Sequence, residues 1–342
     1  MRVGILSGGG DAPGLNAVIR AVVRKGIKNY GYEIVGIKDG WHGLLENEFM
    51  PLDLESTSGI LPRGGSILGT SRTNPFKQEK EPEKVLKNAR TAGLDAVVVV
   101  GGDDTLSVAF RLGDLGLKCV GVPKTIDNDL CGTDYTFGFN TAVSIATEAI
   151  DRLHTTAETH HRVMIVEVMG RYTGWIALEA GLAGGADAIL IPEKPFDIEE
   201  ICNYIRLRQQ RGRNFSIVVV AEGAKPKSGK ETVCSQDVDQ FGNTRLGGVG
   251  YYLEKEIEKC MGVETRGVVL GHLQRGGSPT AFDRILATRF GISAIDLVHE
   301  KKFGYMVAIQ GNKIVSVPLK DVIGKRKTVD LELYDVAKVF FG

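Results

Sequence analysis

Net charge is the first thing this sequence lacks. Forty-two Lys and Arg balance forty-two Asp and Glu across 342 residues. There is no basic surplus of the kind a nucleic-acid-binding chain uses to neutralise phosphates. Long apolar runs are missing too, since no uncharged stretch approaches the roughly 18 residues of a membrane helix. Met1 and Arg2 lead straight into an apolar strand and a Gly-rich turn, which predicts no signal peptide. These absences point to a cytoplasmic chain with neither a membrane nor a nucleic acid as partner. Eleven prolines are too few for a Pro-rich linker. The five cysteines (Cys119, Cys131, Cys202, Cys234 and Cys260) form no CxxC pair, and an odd count without a framework predicts buried thiols in a reducing compartment. With 43% hydrophobic and 25% charged residues, disorder is excluded. The length suits about two domains of roughly 150 residues.

Glycine is what the sequence has in excess: 44 of 342 residues, about 13% against a usual share of about 7%. The glycines are aperiodic, which excludes collagen, and cluster between apolar runs, where backbone can turn tightly or approach a ligand. The runs Val3–Leu6, Glu33–Ile37, Ala96–Val100, Cys119–Val122, Val163–Val168, Ala188–Ile191, Ile217–Val220 and Gly267–Leu270 read as strands. Ala96–Val100 is apolar throughout, as a parallel strand covered on both faces should be. Between strands, Leu15, Val18, Ile19, Val22 and Val23 share one helical face, and so do Val143, Ile145, Ala146, Ala149, Ile150 and Leu153. Alternating strands and helices predict a mostly parallel α/β architecture. The polar Lys225–Thr244 segment reads as an exposed excursion.

In such a sheet, ligands sit beyond the carboxyl ends of the strands, so the strand-exit loops are where chemistry is expected. Ser7-Gly8-Gly9-Gly10-Asp11-Ala12-Pro13-Gly14 leaves the first strand and opens a helix, an arrangement that turns backbone N–H groups toward an anion. It is neither a dinucleotide fingerprint, because Pro13 stands three residues after Gly10, nor a Walker loop, because no Gly-Lys-Ser/Thr occurs. On this loop alone, a tight turn without a ligand is an equal alternative. Gly101-Gly102-Asp103-Asp104-Thr105 and Pro123-Lys124-Thr125-Ile126-Asp127-Asn128-Asp129 leave two further strands. They bring four carboxylates, a lysine and threonines to neighbouring strand ends. Carboxylates beside an anion loop suit Mg²⁺ held mainly through water and phosphate oxygens, and supply a group to receive a hydroxyl proton in phosphoryl transfer. A single Asp here would read as a helix cap or turn former; three at adjacent exits make that reading weaker.

These loops closely resemble the 6-phosphofructokinase family. The resemblance continues, in family order and spacing, through Gly64–Arg72, Val166–Arg171 and Gly271–Pro279, and so covers nearly the whole chain. It implies two Rossmann-like α/β domains with mostly parallel sheets, the phosphofructokinase fold. The donor domain would take residues 1–138 plus about 275–325, and the sugar-phosphate domain 139–274 plus about 326–342. It implies transfer of a phosphoryl group to the 1-hydroxyl of fructose 6-phosphate. Asp127 would be the base, with Thr125 beside it and Arg171 and Arg72 among the catalytic groups. Asp103 would hold Mg²⁺ with support from Asp129. Gly10, Arg72, Gly102, Asp104, Thr105 and Lys124 would face the donor. Thr125, Asp127, Met169, Gly170, Arg171, Glu222, His272 and Arg275 would contact the sugar phosphate, joined by Arg162 and Arg266 from a neighbouring subunit of a homo-oligomer.

Members of the family that use ATP resemble one another in having glycine at positions 104 and 124, where this sequence has Asp104 and Lys124. A carboxylate at 104 adds bulk and negative charge where the α-phosphate of ATP would lie, and Lys124 brings a cation for the departing phosphate of a shorter donor. The pair resembles the pyrophosphate-dependent branch, whose reaction typically runs both ways. Lysine alone at 124 occurs in some ATP users, so Asp104 carries most of this argument. An ATP-dependent enzyme, a sedoheptulose 7-phosphate acceptor and a catalytically silent sugar-phosphate-binding subunit are the alternatives. The Arg20, Arg24 and Lys28 stripe with Arg213 reads as a solvated face, the alternative being an effector site. His154 departs from the arginine the family has in that effector pocket. Adjacent His160 and His161 cannot share a helical face and make no metal cluster, and Trp41 and Trp175 read as packing residues.

Overall fold

The computed structural model describes residues 1–227, 233–238, 241–242 and 244–342, the stretches 233–238 and 244–245 as backbone only. The chain opens with β1 (Arg2–Ser7), α1 (Leu15–Tyr30), β2 (Glu33–Ile37), α2 (Trp41–Glu46), β3 (Phe49–Leu52), α3 (Glu81–Thr91), β4 (Ala96–Gly101), α4 (Asp103–Asp114), β5 (Cys119–Thr125) and β6 (Phe137–Gly138). There follow α5 (Phe139–His160), β7 (Val163–Val168), α6 (Trp175–Ala183), β8 (Ala188–Leu190), α7 (Ile198–Gln210), β9 (Ser216–Ala221), β10 (Val233–Val238), β11 (Thr244–Leu246), α8 (Val249–Met261) and β12 (Thr265–Val269). A 3₁₀ turn at Gly271–Arg275 leads to α9 (Ala281–His299), β13 (Tyr305–Gln310), β14 (Lys313–Pro318), α10 (Leu319–Val322) and α11 (Leu331–Lys338).

Two sheets result. The larger has the order β14-β13-β5-β4-β1-β2-β3, with β6 paired to β5, and the smaller has the order β12-β7-β9-β8. Pairings in the smaller sheet are all parallel. In the larger sheet only the edge strands β3 and β14 run antiparallel. The two sheets bear out the mostly parallel α/β reading, and each of the eight strands read from the sequence is present. β3, β6, β13 and β14 were not foreseen. β3 carries Pro51, which lacks an amide donor and is tolerated because the strand lies at an edge. Of the Lys225–Thr244 excursion, part lies outside the described residues; the described backbone pairs β10 with β11 as an antiparallel ribbon.

Period-two alternation divides the cores. In β4, Ala96, Val98 and Val100 face the cluster that holds α1 and α9, while Val97 and Val99 face the cluster of α3 and α4. In the smaller sheet, Ile217 and Val219 meet α5 and α6, whereas Val218 and Val220 meet α7 and α8. Strands buried on both faces need apolar residues throughout, which is why these runs are continuous and not alternating. α9 can lie close to α1 because Gly291 faces it: a Cβ there would stand 2.7 Å from the Val18 carbonyl oxygen. Cys119 and Cys202 are buried and Cys131 and Cys260 are half-exposed, so the buried-thiol reading holds for two of these four, while the Cys234 side chain lies outside the described residues. No helix among the described residues is long and apolar enough to cross a membrane.

β1 has β2 on one side and β4 on the other. Its own helix α1 packs on one face of the sheet and α4, after β4, on the opposite face. The loops leaving β1 and β4 therefore diverge, and the crevice between them is the switch point where open α/β sheets bind ligands.

Candidate active site

The crevice is a cavity of about 290 Å³ lined by Gly9, Gly10, Arg72, Gly102, Asp103, Asp104, Thr105, Lys124, Thr125, Asp127, Asp129, Arg171, Arg275 and, from the C-terminal part, Lys325 and Arg326. It lies at the small end of ligand-site volumes, which run roughly 300–1,000 Å³.

The first wall is the β1 exit. Gly8 N–H donates to the Val100 carbonyl (2.9 Å) and Gly9 N–H to the Ser71 carbonyl (2.9 Å), while the Thr70 hydroxyl donates to the Gly9 carbonyl (2.6 Å). The Gly64–Arg72 segment thus braces the loop and brings Arg72 to the cavity. Glycine at 10 leaves room for Arg275, whose Nη1 would be 2.8 Å from a Cβ at that position. The same guanidinium donates to the Asp11 carbonyl at 3.0 Å.

The second wall is the β4 exit. Gly102 is the extended N-cap of α4, and Asp103 and Asp104 occupy the helix's first turn, where carboxylates are favoured by the helix dipole. Asp103 Oδ1 accepts from Gly324 N–H at 2.9 Å, and burial raises its pKa. Asp104 Oδ2 stands 3.9 Å from an Arg171 nitrogen. Thr105 is buried against the glycine backbone of both loops, and Trp41 Nε1 donates to its carbonyl at 3.3 Å, so Trp41 packs beneath the site.

The third wall is the β5 exit. Lys124 is buried and its Nζ donates to the Gly10 carbonyl. Burial, then the positive Arg275, pull its pKa from 10.5 down to about 7, against the opposing pull of Asp11 and Asp127. Asp127 N–H donates to Thr125 Oγ1 at 3.0 Å, and the Asp127 carbonyl accepts from the Thr173 hydroxyl at 3.2 Å. Its carboxyl Oδ1 is buried without a partner among the described residues. Burial and the neighbouring Asp127 charge push Asp129 up to about 7. Two close, recessed carboxylates with an orphaned oxygen are relieved by a cation. A set of one or two carboxylates leaves most of the shell to water and phosphate oxygens, which is how Mg²⁺ is usually held. The residues present fit that ion.

The smaller sheet supplies the remaining side. β7 runs out into Met169, Gly170 and Arg171, and β9 into Glu222. Met169 N–H donates to Gln274 Oε1 (3.3 Å) and Arg171 N–H to Glu222 Oε1 (3.0 Å). Gly170 has φ 141° and would place a Cβ 2.4 Å from the Thr173 carbonyl oxygen, so the turn that aims Arg171 at the cavity requires glycine. Burial, then Asp127, raise Glu222 to about 7.

The candidate residues divide in space. Arg275 joins Gly10 and Lys124 inside the cavity, and His272 is exposed on the adjoining 3₁₀ turn. Arg162 and Arg266 are elsewhere: both pair with Glu264, at 2.8 and 2.6 Å, at the opposite ends of β7 and β12 from the Arg171 turn. Sequence reading missed Gly324, Lys325 and Arg326. Three consecutive cations after a glycine (Gly324-Lys325-Arg326-Lys327) were the available signal. Trp175 does more than pack, donating to the Lys327 carbonyl at 3.0 Å. Along the cavity, six cationic side chains face four carboxylates, a balance suited to a polyanion accompanied by a metal ion.

Residues 2–298 match the family model described as Phosphofructokinase. The chain belongs to this family. As a phosphofructokinase-family protein it is similar to pyrophosphate–fructose 6-phosphate 1-phosphotransferase of Streptomyces coelicolor, 58% identical over 343 residues and 100% of both chains. It is also similar to the ATP-dependent 6-phosphofructokinase 3 of that organism, 52% identical over 96% of each chain. Among solved structures, Pichia pastoris phosphofructokinase in the T-state superposes with a TM-score of 0.84 at 34% identity, covering 99% of this chain. This chain spans 38% of that protein's length. The family and these full-length relatives make the protein a phosphotransferase, with the phosphofructokinase fold.

Proposed function

We propose that the protein catalyses Mg²⁺-dependent, reversible transfer of a phosphoryl group from pyrophosphate to the 1-hydroxyl of fructose 6-phosphate, in the cytoplasm. Asp127 accepts the hydroxyl proton as the sugar oxygen bonds to phosphorus and the bridging P–O bond of pyrophosphate breaks, releasing inorganic phosphate. In reverse, Asp127 returns the proton. The hydrogen bond between Asp127 N–H and Thr125 Oγ1 supports a fixed approach for that carboxylate, and Arg72, Lys124 and Arg171 are suited to charge spread over the transferring oxygens. Asp103 and Asp129 would hold Mg²⁺, which supplies charge neutralisation on the donor when bound. Gly10, Gly102 and Thr105 shape the donor wall. Met169, Gly170, Glu222, His272 and Arg275 serve the sugar phosphate.

Arg162 and Arg266 complete a neighbouring subunit's site in a homo-oligomer, a role supported by their distance from their own chain's cavity. We assign residues 1–138 with about 275–325 to the donor side, and 139–274 with about 326–342 to the sugar side, which the two separate sheets support.

Pyrophosphate is favoured over ATP by one observation above the others: Asp104 lines a small cavity on the first turn of α4, with the buried Lys124 across the same space. The names of relatives at 56–58% identity agree. The ATP-dependent reading is kept open by relatives at 50–52% identity. Initial rates with fructose 6-phosphate and Mg²⁺, comparing the two donors at matched concentration, test the assignment. A large pyrophosphate preference is expected; an ATP preference would overturn the donor assignment and leave the family intact.

A further inference from the structure

The segment between α10 and α11 crosses from one sheet to the other. Val322 is buried in the core of the larger sheet and Val329 in that of the smaller. Between these pins, the backbone is tied to the active-site loops at three points. Gly324 N–H donates to Asp103 Oδ1 (2.9 Å), Arg326 bridges Leu130, and Lys327 N–H donates to the Asp129 carbonyl (2.8 Å). Lys327 Nζ donates to Asn128 Oδ1 (3.1 Å) and to the Thr133 and Asp134 carbonyls, at 3.0 and 2.7 Å. Asn128, at φ 51°, sits between Asp127 and Asp129. Lys325 and Arg326 are exposed and line the cavity, Arg326 lying over the Tyr172 ring at 4.5 Å. None of this segment falls within the 2–298 match to the family.

We infer that this strap is a further wall of the donor site: Arg326, with Lys325 beside it, binds phosphate oxygens of the donor, and Lys327 is a positioning residue that fixes the Asp127–Asp129 turn. A guanidinium braced on an aromatic face keeps its donors aimed without spending rotamer freedom on binding, and charge-assisted contacts to phosphate are among the stronger hydrogen bonds. The same few residues touch Asp103, Asp129 and Trp175 at the start of α6, the helix packed on the smaller sheet, so one segment links both sheets' contributions to the site. The inference rests on the proposed function, but on its phosphoryl-donor chemistry and not on which donor is used.

The test is steady-state kinetics of Arg326→Gln and Lys325→Gln with pyrophosphate and with ATP, together with thermal stability. Both side chains are exposed, so the fold should survive. With whichever donor the wild type uses, Arg326→Gln should raise donor KM tenfold or more, Lys325→Gln several-fold, and fructose 6-phosphate KM less than twofold. Arg326→Lys should recover part of the loss. Lys327→Ala should lower kcat more than it raises donor KM, and added ethylammonium should restore part of the rate. Donor KM within twofold of wild type in Arg326→Gln, or a lowered melting temperature with unchanged KM, would overturn the strap's binding role. A wild type that uses ATP would overturn only the pyrophosphate assignment, and one that turns over neither donor would overturn both.

Discussion

Replacing Asp104 by glycine should open the site to ATP. The separation of 3.9 Å between Asp104 and Arg171 sets the electrostatic scale: at that distance and an effective dielectric near 20, two unit charges interact by about 4 kcal/mol. An α-phosphate lying against the first turn of α4 would meet a repulsion of that order. Two effects reduce it. Asp104 is 37% exposed, so water screens it, and Arg171 partly neutralises it. A net relief of roughly 1–2 kcal/mol is expected, which is about a 5- to 30-fold gain in kcat/KM for ATP. Glycine is worse than Asp inside a helix by a few tenths of a kcal/mol, and loss of a first-turn carboxylate removes a few tenths more, so the variant should melt slightly earlier. Asp104→Asn separates the effects, keeping most of the bulk and side-chain entropy while removing the charge. The assay is the ratio of kcat/KM for ATP and pyrophosphate in wild type and both variants. An unchanged ratio in Asp104→Gly would refute the account in which charge and bulk at this position exclude the nucleotide.

Other outcomes follow from the same geometry. Asp127→Asn should lower kcat by about 10²–10⁴ with little change in melting temperature; a rate within threefold of wild type would revive the binding-subunit reading. Lys124 is neutral above about pH 7 in the unliganded site, whereas an anionic donor favours its charged form. Donor binding should therefore take up a proton, and donor KM should rise with pH above about 7, by up to tenfold per unit. Lys124→Met should flatten that dependence. For the protein alone the same group binds more protons when unfolded between about 7 and 10.5, so its contribution makes stability rise with pH across that window. Gly170→Ala, forced to φ 141° and into the Thr173 carbonyl, should cost at least about 2 kcal/mol in denaturant unfolding and misdirect Arg171. Unfolding midpoints equal to wild type would show that the turn relaxes freely.

The geometry accounts for why buried charge is tolerated here. Lys124, Asp129 and Glu222 each have the charged form disfavoured by burial, an arrangement that a polyanionic donor and a metal ion would relieve together. A site built this way stores part of its binding energy as unmet electrostatics in the unliganded state.

The sequence by itself determined the strands, because strands buried on both faces must be apolar without interruption and so stand out from glycine-rich turns. Gly-Gly-Asp-Asp-Thr and Pro-Lys-Thr-Ile-Asp-Asn-Asp were legible for a related reason: chemistry at strand exits comes in short contiguous stretches. The β13–β14 hairpin was equally within reach, since Gly311-Asn312 joins the two strands as a two-residue turn. What only the tertiary structure decided is which distant residues converge. Arg275 arrives beside Gly10 because Gly10 has no side chain to exclude it. Arg162 and Arg266 are carried away from the cavity because they sit at the starts of parallel strands whose far ends bear the site. The Gly324–Lys327 strap reaches Asp103 and Asp129 because Val322 and Val329 are anchored in different cores. A local pattern records what each segment buries on its own; contacts across more than 200 positions of chain, such as Gly324 to Asp103, depend on packing that no local pattern encodes.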